Sequence, residues 1–421
     1  MDLTRARMGI PELRGPAVGS LEPIAHGAQE GAPPWRAAGV GYRLATGVFG
    51  ANLPSTAVIN VFPFLAGAMI DARHVSPAHV GFVMSVELLA MAVVAIGLGA
   101  LPVQVRPRLV GIIGCCAFAV GNLLSMQAGP VMLLGARALA GMGGGLAITA
   151  GGRAVAQSST PARLSSYVAV ALSILGVGMA VIAGAAVRFD GYSGGCLLLA
   201  CIGIAGAVCA IALPAHSRIG DGAGLARAGP DVRKTMTGDW IAATALLAAA
   251  CCTFAGMGGV WTFSERIGLA TGLSTTAVAN AIGFTSLASA AGGAAAAVVA
   301  RLHRDFLSAG VGALICGFSA AALALASTPV SYVLALAVLS FAFIFVGPFL
   351  VSIAVQVDPT GGLAGAQQGG QMLAAAIAPF AGGLILASGS FRTLAFCAAV
   401  AAILAVMCIL TVFRRVNDPC L

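Results

Sequence analysis

The sequence predicts an all-α membrane protein, with twelve transmembrane helices arranged as two six-helix bundles. Three observations point there. The 421-residue chain is 59% hydrophobic and 9% charged, with mean hydropathy +0.99, more apolar surface than a soluble fold can bury. Apolar runs of about 20 residues, the length needed to cross ~30 Å of hydrocarbon, recur along almost the whole chain. The basic residues, which give a formal charge of +8, collect in alternate loops rather than in one patch. That distribution argues for membrane topology and against nucleic acid as a partner.

Residues 1–39 are rich in Gly, Pro and charge and have no apolar run between a basic start and a small-residue cleavage site, so a disordered cytoplasmic tail is expected rather than a signal peptide. Six spans follow near 40–70, 78–101, 109–127, 130–155, 164–187 and 193–213. Residues 214–239 form the longest break, carry Arg218, Arg227, Arg233 and Lys234, and read as a cytoplasmic linker between the halves 40–213 and 240–413. Six more spans fall near 240–263, 275–300, 306–326, 330–354, 364–388 and 393–413, with a short tail at 414–421.

An even number of crossings puts both termini on one side. With the termini inside, seventeen basic residues lie in cytoplasmic segments and four (Arg73, Arg188, Arg266, Arg392) outside, with Arg137 left in the membrane. The positive-inside rule thus predicts cytoplasmic termini in the inner, or plasma, membrane. The halves also resemble one another. A shift of 198 places Ser76 on Ser274, Val80 on Val278 and Arg106 on Arg304, as a parallel duplication would, although Glu87 then meets Thr285.

Arg137 is the chemical problem of the chain. A guanidinium does not lose its proton, and placing it in hydrocarbon costs at least ~2.5–3.5 kcal/mol. Glu87 is the acidic side chain set deepest in an apolar span. At 1.5 Å per residue, Glu87 lies about 14 Å and Arg137 about 10 Å into spans that start on the same side, so the two are expected to pair. Such a pair either orients two helices or takes part in binding a proton or an anionic solute.

Other groups read as follows. Asn52, Thr56 and Asn60 recur every fourth residue as a polar stripe on span one, which Pro54 should kink. Trp261 ends span seven, Asn280 lies in span eight, and Gln367, Gln368 and Gln371 open span eleven. Trp261, Asn280, Gln367 and Gln371 join the stripe as candidates for lining a substrate cavity, although a tryptophan at that depth also suits an interfacial anchor. The eleven cysteines lie almost wholly in apolar spans without metal-ligand spacing, and the five histidines fall in tails, loops or a span edge. No Gly-x-x-x-x-Gly-Lys-Ser/Thr loop is present. No metal or other cofactor is therefore expected.

Three local patterns then resemble the major facilitator superfamily. In span four, Arg137-Ala-Leu-Ala-Gly141-Met-Gly143-Gly-Gly145 is similar to the family's arginine-then-glycines motif, whose arginine the resemblance links to proton coupling. After span two, Gly99-Ala-Leu101-Pro-Val-Gln-Val-Arg106-Pro-Arg108 resembles the Gly-x-Leu-x-Asp-Arg-x-Gly-Arg-Lys loop, with Val103 in place of aspartate. Arg301 and Arg304 hold the comparable place in the second half, after Ala300. These four arginines are expected at the cytoplasmic gate loops, as loop anchors or lipid-headgroup contacts. Span five has Gly176, Gly178 and Gly184 but lacks the Gly-Pro of many exporters in the family.

The resemblance implies a monomeric secondary transporter moving a small organic solute by alternating access, coupled to protons, with span one lining the central cavity. Scarce intramembrane charge leans towards efflux. A proton-linked importer of an anionic metabolite is the alternative, and an intramembrane enzyme or a non-transporting sensor is the reading outside transport.

Overall fold

A computed structural model describes residues 41–73, 75–100, 106–156, 158, 161–215, 240–302, 304–358, 362–388 and 390–417. The expected tail 1–39, most of the linker 214–239 and the last four residues lie outside the described residues.

Twelve α-helices and one short 3-10 turn make up the described chain. They are α1 (Tyr42–Arg73), α2 (Pro77–Ala100), α3 (Pro107–Ser125), α4 (Pro130–Ala156), α5 (Pro161–Ala210) and α6 (Trp240–Thr262). After these come α7 (Ser264–Ala270), α8 (Thr275–Val299), α9 (Asp305–Ala324), α10 (Pro329–Val357), α11 (Gly362–Ser388) and α12 (Phe391–Asn417). Five of them open on proline, whose missing N–H costs nothing in a first turn. Ser76 and Ser274, the pair matched by the 198-residue shift, each accept the backbone N–H three residues on, His79 and Ala277, at the starts of α2 and α8.

Two elements depart from the expected spans. Spans five and six are arms of one helix, α5, folded at Asp190 and Gly191, where Gly191 takes φ +54°, a conformation that only glycine adopts cheaply. Span seven continues past its end as α7, offset by Phe263 at φ −105°, ψ 14°. The two arms of α5 keep the number of crossings at twelve.

α1–α5 pack on one another, as do α6–α12, giving two six-span halves. They meet along α2 against α11 and α5 against α8, with α1 touching α6 and α7. α1 is the most enclosed crossing, with 72% of its apolar window buried against 28% for α6.

The contacts between halves cluster at the end of the bundle away from Tyr42 and Asn417, called here the far end. There the backbone of Gly81 lies against the Pro379 carbonyl, and Gly383 against that of Pro77. Ser85 Oγ accepts the Phe380 N–H at 3.0 Å, and Arg188 at the tip of α5 donates to Thr276 of α8. Near the terminal end, the contact described between these pairs is Ile96 reaching Gly369.

Candidate functional site

Burial along α1 outlines the space between the halves. Residues 61–69 are all buried, whereas just before them Asn52, Ser55, Thr56, Ile59 and Asn60 are open or half-open and share one face. Ile59 is 55% exposed, while the other residues of α1 from 44 to 70 are buried or half-buried. α6 repeats the pattern, with partly open positions between 251 and 258 and continuous burial of Gly259 and Val260 beyond them. A gap between the halves therefore opens towards the terminal end and is sealed at the far end.

The polar stripe of α1 faces this gap. Asn52 Nδ2 donates back to the Val48 carbonyl and Asn60 Nδ2 to that of Thr56, both at 2.8 Å, which fixes the amides and leaves their oxygens as acceptors. Asn60 and Ser286 of α8 both border Gly176 of α5, so residues from both halves converge there. Ser286 escaped sequence analysis because a lone serine on an alanine-rich helix has no periodic signal.

Trp261 crosses the seam instead of anchoring at a lipid interface. Its indole N–H donates to the Ile59 carbonyl at 3.1 Å. Ile59 lies four residues before Pro63, which has no N–H to return to it, so the bond from the other half satisfies a carbonyl the helix leaves free. Pro54 leaves the Gly50 carbonyl free in the same way, and Cys115 Sγ approaches that oxygen at 3.9 Å.

The remaining candidates separate. Asn280 is exposed on the face of α8 that carries Phe284, Leu287 and Val298, all exposed apolar side chains, so it looks outward and not into the gap. Gln367 and Gln371 are buried on the side of α11 that turns Ala378 and Gly382 to α6; neither amide atom of Gln367 nor Nε2 of Gln371 has a hydrogen-bond partner.

Glu87 and Arg137 meet, both fully buried, with Nε 3.4 Å from Oε2. The guanidinium also donates to Asn122 Oδ1 of α3, whose own Nδ2 donates to the Phe118 carbonyl. Three helices of one half are thus tied at a charged knot inside that half. α2 and α4 approach so closely that a Cβ on Gly141 would overlap the Glu87 carbonyl oxygen.

At the terminal end, Arg108 Nε donates to the Leu213 carbonyl at 2.9 Å and Arg153 to that of Leu98, capping helix ends with charge of the favourable sign. Arg106, Arg108, Leu109, Ile112 and Ala215 line a shallow cavity of about 220 Å³. Arg301 and Arg304 are exposed. Next to them Asp305 accepts from Ser352 Oγ at 2.6 Å and Gln356 Nε2 at 2.8 Å, joining α9 to α10.

The far end carries a second charged group. Arg266 of α7 donates to the Gly67 carbonyl of α1 at 2.7 Å and pairs with Asp71. Glu265 is 4% exposed and sits against Gly67.

Two six-span bundles packed on each other, with a half-open polar stripe on α1 between them, have the architecture of a secondary transporter. The sequence profile of the Major Facilitator Superfamily matches residues 44–366, and the chain belongs to that family. No curated protein matches the sequence. Among solved structures, the nucleoside transporter NupG, crystallised as a point mutant, superposes with a TM-score of 0.67 at 12% identity, over 88% of this chain and 99% of that one. This likeness is one of fold.

Proposed function

We propose that the protein is a proton-coupled exporter of the inner membrane, with both termini and the linker 214–239 in the cytoplasm, acting as a monomer on a small, uncharged organic solute. The observation that carries this reading is the stripe Asn52, Thr56 and Asn60, open to the gap on an otherwise enclosed helix while residues 61–69 are sealed. Asn and Thr oxygens joined by Ser286 suit a neutral solute that forms hydrogen bonds. An importer of an anion would want Arg137 open to the gap, but its guanidinium is buried against Glu87 and Asn122. Glu87 is the proposed proton carrier and Arg137 its partner.

The test is flux in proteoliposomes loaded from a compound panel chosen by the sensitivity of a deletion strain. Glu87→Gln should abolish proton-driven accumulation and leave solute exchange intact. Wild-type accumulation in Glu87→Gln ends the coupling role, and the absence of any flux across the panel ends the transport assignment for those solutes.

A further inference from the structure

The Glu265 carboxylate belongs to one half but is pressed against the backbone of the other. A Cβ on Gly67 would overlap Oε2 and stand 3.1 Å from Oε1, so the bare glycine is what admits the acid. Oε2 is buried and has no hydrogen-bond partner. The adjacent Arg266 does not relieve it. Its Nε is 4.0 Å from Oε2, too long for a hydrogen bond, and its NH2 is occupied by the Gly67 carbonyl and Asp71.

Among the described residues, the charged or titratable groups facing Glu265 are Asp71 of α1, Arg266 of α7 and Tyr332 of α10, whose hydroxyl is also buried without a partner. Residues 275–281 of α8 and 319–324 of α9, packed at this end, carry no ionisable side chain. A carboxylate enclosed by one cation that it does not hydrogen-bond, one anion and apolar surface is better accommodated neutral.

We propose that Glu265 is a proton-binding site that operates the far-end seal: its carboxyl takes up a proton as the halves close on it and returns the proton to solution as they part. The step is a simple protonation, with no other bond made or broken. This rests on the alternating-access reading above, in which the Gly67 surface separates from α7 during the cycle. Burial lifts the carboxyl from 4.5 to about 7, with Arg266 opposing and Asp71 adding to the rise. The closed form therefore binds the proton more tightly, and acid favours closure.

The test places spin labels at Ser76 and Ala270, exposed positions on opposite sides of the seam, in full-length protein whose native cysteines are replaced, held in lipid nanodiscs. The ratio of short to long label distances is read from pH 5 to pH 8. One proton per closure predicts a fall of about tenfold per pH unit between 4.5 and about 7, then a plateau. Glu265→Gln should stay closed across the range, and His79→Gln, an exposed group near α2's start, should titrate like wild type.

A wild-type ratio that does not change with pH overturns the proposal, as does a titration that survives in Glu265→Gln or vanishes in His79→Gln. If Glu265→Gln does not fold, Glu87→Gln decides the matter: the wild-type titration should persist in it, and its loss there overturns the proposal. Two distances that respond to solute but not to pH leave alternating access standing and remove the proton site at Glu265. A single distance under every condition removes both.

Discussion

At the residue scale, the two buried carboxylates are held in opposite ways. Glu87 has a cation at 3.4 Å within a knot shared by α2, α3 and α4, and that knot lies wholly in one half. Glu265 stands between the halves with an oxygen that has no partner. The first arrangement is rigid and the second depends on the state of the seam. Removing one member of a buried ion pair strands the other, at a cost of about 3–5 kcal/mol, whereas replacing both with apolar groups is often neutral. Arg137→Met should therefore lower the thermal unfolding midpoint in detergent steeply, and adding Glu87→Met should recover most of the loss. Equal losses in the single and double variants would show that no stranded charge is relieved and that the helices depend on the pair itself. The pairing was legible in the sequence because two charges in apolar spans at one depth have few other partners. Asn122 was not, since one asparagine in span three gives no sign of which helix it faces until α3 is packed on α4. Arg266 reads only as one of the four basic residues outside; that it and Glu265 lie under the seam is not legible, because the sequence hides the turn at Phe263 that leads into α7.

At the scale of the element, α1 and α11 share a device. Each has a proline within the helix, and near each a backbone group is satisfied by a side chain from the opposite half: the Ile59 carbonyl by Trp261, and the Phe380 N–H by Ser85 Oγ. Such bonds exist only while the far end is closed, so the prolines turn helix backbone into part of the seal. A hydrogen bond of this kind contributes about 0.5–1.5 kcal/mol net, or roughly two- to tenfold in the closed-to-open ratio. Trp261→Phe should shift the Ser76–Ala270 label distances towards open by that factor. In a Pro63→Ala background, where residue 63 can again donate to the Ile59 carbonyl, the same substitution should have little effect. Additive shifts in the double variant would mean that Trp261 acts through packing alone. The spans and Pro54 were readable from composition and spacing; that Trp261 answers Pro63 was not, because the two are 198 residues apart and meet only when the halves do.

At the scale of the whole molecule, the seam has one tight end and one loose end. Gly81, Gly383, Ser85 and Phe380 join α2 to α11 at the far end, while near the terminal end Ile96 merely reaches Gly369. If the halves rock, this far-end contact must break once per cycle, and fixing it should stop transport without disturbing the gap. Ser85→Cys with Phe380→Cys, in a background free of native cysteines, joins the two helices where Oγ and the backbone nitrogen are 3.0 Å apart. Bridging the pair with a short thiol crosslinker should abolish solute flux, and cleaving the bridge should restore it. A cysteine at Asn60 should still react with a polar maleimide from the terminal face when the bridge is in place, because the stripe opens to that side with the far end shut. Full flux through the bridged protein would mean that the halves do not part there. Loss of maleimide reactivity would mean that the bridge had closed the gap rather than held it in this form. The terminal-end ties through Arg108, Arg153 and Asp305 each join helices of the same half, so they can persist through either movement and leave the seam as the surface that changes.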